Sequence, residues 1–278
     1  MLRLPLALVL IPLACATQSF DGGDTVTIAP GRFTMGSSLH ARAQAIDEAA
    51  RHGADMRTAS ERLQHELPST TRNLSAYAIM VHPVTQAEYA TYVYETGAAE
   101  PWVDPHTWSR TPHTDSEDPK RVAWKSGRPQ DARMDQPAVL VSQAEAEAFC
   151  TAWGEVRGGI GSLPTEAQWE RAARGDDGRA YPWGATFVAG HGNTRESGTG
   201  DMLEVATRTS AVSPHGVHDT GGNVAEWTRD IEDGNAIVKG GSWSDDLLTA
   251  RPAARRHLPA AIRHVSVGFR CVLDRRTK

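Results

Sequence analysis

Asp219-Thr220-Gly221-Gly222-Asn223-Val224-Ala225-Glu226-Trp227 places two carboxylates, an amide, two glycines and a tryptophan within one short run. Calcium takes about six to eight oxygens, many of them backbone carbonyls in tight loops where glycine lets the chain bend. Asp219 and Glu226 could supply the charge, with the carbonyls between them filling the shell. Taken alone, the run reads more simply as a glycine turn carrying polar groups. What surrounds it decides between the two readings.

Upstream, Thr85 with Glu88, Ser142 with Glu145 and Thr165 with Gln168 each form a capping box. In such a box the hydroxyl and the carboxyl or amide three residues on satisfy two orphan N–H groups of a helix start. Behind the second box, Ala146, Phe149, Cys150 and Trp153 fall on one helical face, which points Cys150 inward. Earlier, Thr25-Val26-Thr27-Ile28 alternates as a half-buried strand does, Pro30-Gly31 turns the chain, and Arg32-Phe33-Thr34-Met35 resumes it. Residues 40–67 carry a weak helical pattern through Ile46, Ala49, Gly53, Met56, Ser60, Leu63 and Leu67, expected to be a helical insertion on the surface. Residues 100–136 are long, irregular and proline-punctuated, with Trp102, Trp108 and Trp124. Downstream come loops and short strands such as Ala236-Ile237-Val238-Lys239. Helices early, short strands late and no βαβ alternation make the class α+β.

The chain has 278 residues, 23% of them charged, and a formal net charge of -5. These are globular values, and without a Lys/Arg run nucleic acid is not an expected partner. Residues 1–16 differ: Arg3 precedes an apolar run that ends in Ala14-Cys15-Ala16, the pattern of a signal-peptidase site. The run is too short to span a bilayer. Leu13-Ala14-Cys15 also resembles the end of a lipoprotein box, so Cys15 is either removed with the leader or lipidated as a membrane anchor. Export to the periplasm, the cell surface or the medium is expected. Beyond the leader only Cys150 and Cys271 remain, a count that suggests one disulfide in an oxidising compartment.

The nine-residue run then takes its place in an ordered series. Pro30 to Ser37 opens it, followed by Pro83-Val84-Thr85 before Glu88-Tyr89, and by Leu163-Pro164-Thr165-Glu166-Ala167-Gln168-Trp169-Glu170. Ala172-Ala173-Arg174-Gly175, Tyr181-Pro182-Trp183-Gly184, Gly240-Gly241-Ser242-Trp243 and Gly268-Phe269-Arg270-Cys271 complete it. Together these motifs resemble the formylglycine-generating enzyme (sulfatase-modifying factor) family, across residues 24–273 read as one domain. The resemblance implies a loop-rich variant of the C-type-lectin-like fold with little regular structure. It implies structural calcium bound by the Asp219 and Glu226 side chains and the Gly222 and Val224 carbonyls. A second calcium is implied at Asn193 and Thr194, with Asp201 as a candidate ligand. It also implies that Cys150 pairs with Cys271.

The pattern breaks where the family does its chemistry. Active members bind Cu(I) through two cysteines shortly after the Gly-Gly-Ser motif, because soft thiolates select that ion. Here the stretch reads Ser244-Asp245-Asp246-Leu247-Leu248-Thr249-Ala250-Arg251, and Ala225 replaces a large ring beside the oxygen pocket. No copper is expected. Ser242, Trp243, Asp245, Asp246, Arg251 and Arg255, with Arg256 and His257 beside them, are candidates for a groove that takes a polar, peptide or protein ligand. The alternative for the charged members is a solvated face whose opposite charges pair. The expected protein is a monomeric, extracytoplasmic binding or accessory member of the family. An oxidase of the non-copper relatives, such as the pyoverdine-maturation type, is the alternative.

Overall fold

The alternating run becomes strand β1 (Thr25–Ile28), and after the Pro30 turn the chain returns as β2 (Gly31–Met35). The computed structural model describes residues 24–274, so the leader and both readings of Cys15 lie outside the described residues. Helices α1 (Leu39–Arg51) and α2 (Met56–Leu63) come next, then β3 (Thr70–Leu74) and β4 (Tyr77–Met80). The capping boxes open α3 (Gln86–Thr96), α5 (Gln143–Val156) and α6 (Glu166–Arg174) as read. In each, the cap hydroxyl accepts the N–H three residues on, and that residue's side chain accepts the cap N–H, at 2.7 to 2.9 Å. Between them lie the short α4 (Pro105–Ser109) and β5 (Ile160–Ser162). The last part supplies β6 (Ala225–Glu232), β7 (Asn235–Lys239), β8 (Arg256–Pro259), β9 (Val267–Gly268) and β10 (Val272–Asp274). Helix at 29% and strand at 21% leave half of the described residues in loops, an α+β fold of the kind expected.

One antiparallel sheet runs β1-β4-β10-β5, which places the first and last described strands on either side of β4. A second runs β8-β7-β6-β9, with β6 and β9 parallel. Between these sheets α5 presents Phe149, Cys150 and Trp153 to Trp227, Phe269 and Cys271. Cys150 and Cys271 are bonded, with Cα atoms 5.3 Å apart. Trp227 lies wholly buried and donates its Nε1–H to the Val141 carbonyl at 2.9 Å. Such a partner offsets the cost of burying the polar end of the ring.

The helical segment departs from expectation. Gly53 adopts φ +85 and separates α1 from α2, so one register cannot describe both. Ala45, Ala49, Ala59 and Leu63 are buried, whereas Met56, placed on the sequence-derived face, is half exposed. These two helices do not merely lie on the surface. They pack against Tyr181, Phe187, Leu247 and Leu248 in a core cluster of their own. The 100–136 stretch is pinned by two of its three tryptophans: Trp108 is buried and Trp124 donates to Gln86 Oε1 at 2.6 Å, while Trp102 stays exposed.

Candidate functional site

The 219–227 loop is wound tightly. Asp219 and Asn223 adopt φ +57 and +69, and Gly222 adopts φ +128. A Cβ on Gly222 would come within 2.5 Å of the Asn193 carbonyl, so glycine is required there. Asn223 is the hub: its N–H donates to the Asn193 carbonyl at 2.8 Å and its carbonyl accepts from Trp243 N–H at 3.0 Å. Its Oδ1 accepts from Asn193 Nδ2 and from Leu203 N–H. The two loops read as calcium sites therefore lie back to back.

Their donor sets differ. Asp219 is nearly buried; one of its oxygens accepts from Ala206 N–H at 2.7 Å, and burial raises its carboxyl above the usual carboxylate range. Next to it Thr220 Oγ1 is buried without a hydrogen-bond partner among the described residues. A buried carboxylate with a buried orphan oxygen beside it suits a hard cation. Glu226 is engaged differently. Arg270 Nε and Nη2 each reach one of its oxygens at 2.6 Å, and Trp169 Nε1 adds a bond at 2.8 Å, all fully buried. Among the described residues no three His, Cys, Asp or Glu side chains converge on one point. A calcium at this loop would thus rest mainly on Asp219 and the carbonyls of Gly222 and Val224, with Glu226 already held by a guanidinium.

At the second loop the oxygen donors are already engaged by protein partners. Asp201 accepts from Arg121 at 2.7 Å and from Arg133 at 2.9 Å, with Met202 N–H on its other oxygen at 2.8 Å. Asn193 Oδ1 accepts from the hydroxyls of Ser197 and Thr199, and the Thr194 carbonyl accepts from Ser197. Two guanidiniums stand where a divalent ion would supply positive charge.

After the Gly-Gly-Ser motif, a groove of about 530 Å³ opens between the second sheet and α2. Asp245, Asp246 and Arg255 line it, as do Ser244, Arg256 and His257. Its opposite wall comes from Arg62, His65 and Glu66, beside Arg195. Three of the groove candidates do not reach it. Arg251 is buried because Glu66 takes its guanidinium at 2.9 and 3.2 Å, with Ser37 adding a bond. Trp243 packs with Trp108, Val139 and Leu140, and Ser242 is buried, donating to Asp245 at 2.6 Å. Arg255 is a wall rather than a free cation, pinned by Glu166 at 3.0 Å and Glu232 at 2.8 Å.

Several groove residues escape sequence reading. Arg62, His65 and Glu66 lie some 180 residues before Asp246, and only packing of α2 brings them near. Glu117 accepts from Ser244 at 2.9 Å and lies 3.8 Å from His264, beneath the groove. Where Ala225 stands, a side cavity of about 30 Å³ shares Thr249, Ala254, Arg255 and Arg256 with the groove. The groove offers carboxylate and hydroxyl oxygens and the imidazoles of His65 and His257, and both described cysteines are in the disulfide, so it lacks the thiolate pair that holds Cu(I).

The model of the sulfatase-modifying factor enzyme 1-like domain matches residues 13–275. The hercynine oxygenase of Mycobacterium tuberculosis is 24% identical over 76% of this chain, which spans 56% of that protein. The mouse inactive Cα-formylglycine-generating enzyme 2 is 28% identical over 74% of this chain and 78% of its own length. PvdO from Pseudomonas aeruginosa shares the fold with a TM-score of 0.68 at 21% identity, covering 91% of this chain and 95% of PvdO.

Proposed function

Because this chain belongs to the sulfatase-modifying factor enzyme 1-like family, and its groove holds carboxylates in place of thiolates, we propose a binding member without copper-oxidase chemistry. It acts outside the cytoplasm. The carrying observation is the state of the sulfur: Cys150 and Cys271 are bonded to each other in the buried core, and neither lines the groove. Asp245 and Asp246 stand in the groove instead, each held by a guanidinium. Hard carboxylates do not hold Cu(I) as a thiolate pair does. The paired cysteines and the export-type leader together support an oxidising compartment. Incubation with a cysteine-containing sulfatase-type peptide, oxygen, reductant and copper is expected to leave the peptide mass unchanged. Copper-dependent loss of the thiol with gain of an aldehyde would return the chain to the oxidases. Stoichiometric iron in the purified protein would favour an oxidase of the non-copper type, and stoichiometric copper would restore the copper oxidase.

Structural calcium belongs to this proposal, at one site rather than two. Asp219 with the loop carbonyls is the site, and Arg121 and Arg133 occupy the other. Asp219→Asn is expected to abolish the rise in melting temperature produced by calcium while changing little in chelator, since a ligand of the folded state stabilises by mass action. Metal analysis is expected to give one calcium per chain. Two would show that the arginines leave room for an ion.

A further inference from the structure

The groove is more specific than a polar cleft. With Arg255 bound to Glu166 and Glu232, and Glu66 bound to Arg251, three guanidiniums remain, Arg62, Arg195 and Arg256, against two carboxylates. In a chain of net charge -5, cations outnumber anions by one among these lining side chains, with the buried Glu117 carboxylate beneath them against Ser244. The charges are also layered. Asp246 and Asp245 lie deep, at 14% and 20% exposure, whereas Arg62 and Arg256 are each 37% exposed and Arg195 is 65% exposed. Asp246 is shared by two guanidiniums, Arg62 and Arg195, so one carboxylate holds two cations. A ligand entering from solvent meets guanidinium first and carboxylate below it.

Resting on the reading of this groove as a ligand site, we infer that it selects a hydroxylated organic anion of monosaccharide to disaccharide size, a sugar acid or sugar sulfate. Arg62, Arg195 and Arg256 take the anionic group, and Asp245 and Asp246 accept hydrogen bonds from its hydroxyls. Guanidinium offers paired N–H donors that match carboxylate and sulfate oxygens, and charge-assisted bonds of this kind are about twice as strong as neutral ones. A floor of two carboxylates is suited to hydroxyl donors. The cavity of about 530 Å³ lies within the range of small-molecule sites. No aromatic ring other than the His65 and His257 imidazoles lines it, and its apolar contacts come from Leu63, Leu248 and Ala254, which leaves no deep pocket for the large aromatic anchor of a peptide.

The test is calorimetric titration of the full protein at constant ionic strength with D-glucuronate, D-glucose 6-sulfate, D-glucose and spermidine. Glucuronate or the sulfate is expected to bind, and glucose to bind about tenfold more weakly or not at all. Whichever anion binds names the source of the charge. Arg195→Ala removes an exposed side chain, which leaves folding unchanged, and is expected to weaken anion binding about tenfold. Asp246→Asn gives the sharper outcome: it releases Arg62 and Arg195 from their intramolecular anion and is expected to tighten anion binding. A groove built for cations would instead bind spermidine and lose it in Asp246→Asn. That result, or glucose binding as well as glucuronate, overturns the anion inference and leaves a ligand groove standing. Binding of none of the four probes sinks the groove reading itself.

Discussion

Glu226→Gln is expected to lose about 3–5 kcal/mol of stability, equally in calcium and in chelator. The cause is Arg270, whose guanidinium is fully buried. It donates to the Met80 and His218 carbonyls at 3.1 and 2.8 Å, and its remaining contacts fall on both oxygens of Glu226. Glutamine keeps the shape and one oxygen for Trp169 or Arg270, but it removes the negative charge. The guanidinium then stays in a low-dielectric core with neutral carbonyls alone, and an uncompensated buried charge costs far more than a surface pair is worth. Denaturant titration of wild type and variant, each with calcium and with chelator, measures the difference. A loss confined to calcium would mean that Glu226 serves chiefly as a metal ligand and that Arg270 is secondary.

The same pair shows where sequence reading reaches its limit. The nine-residue run, the capping boxes and the inward face of α5 were legible because each depends on neighbours a few residues away. Asp219 and Glu226 were legible as charged residues in a glycine loop, but their different employment was not. Glu226 meets a residue 44 positions later, and nothing in local spacing distinguishes a carboxylate that faces a cation from one that faces arginine. The groove followed the same rule. Asp245, Asp246 and Arg255 were found from their density near the Gly-Gly-Ser motif. Arg251 shares that density yet points into the core, because Glu66 from the helical segment draws it there. The segment was read as peripheral since its pattern was averaged across Gly53. Treated as two short helices it yields two small apolar faces, Ala45 with Ala49 and Ala59 with Leu63. Those faces turn it into a wall of the site.

Removing the disulfide is expected to cost about 2–5 kcal/mol, read in a Cys150→Ala, Cys271→Ala double variant by denaturant titration under oxidising conditions. The bond spans 121 residues, and closing so long a loop in the unfolded chain has a nominal worth near the top of that range. Both sulfurs are wholly buried between α5 and the start of β10, so two alanines also leave unfilled volume among Phe149, Trp153 and Phe269. Peptide mapping of unreduced protein is expected to show Cys150 and Cys271 peptides joined, and two free thiols in exported protein would remove the premise. The effect is also expected to be non-additive with Glu226→Gln. Cys271 follows Arg270 directly, and Met80 contacts both, its N–H donating to the Cys271 carbonyl while its own carbonyl accepts from Arg270. Residues that share partners couple by about 0.5–3 kcal/mol. Once the cross-link no longer fixes the backbone at 271, Arg270 can shift toward solvent and part of the ion pair's stabilisation is already lost. The triple variant is therefore expected to be more stable than the sum of the two separate losses, and simple additivity would show that the cross-link and the buried pair act independently.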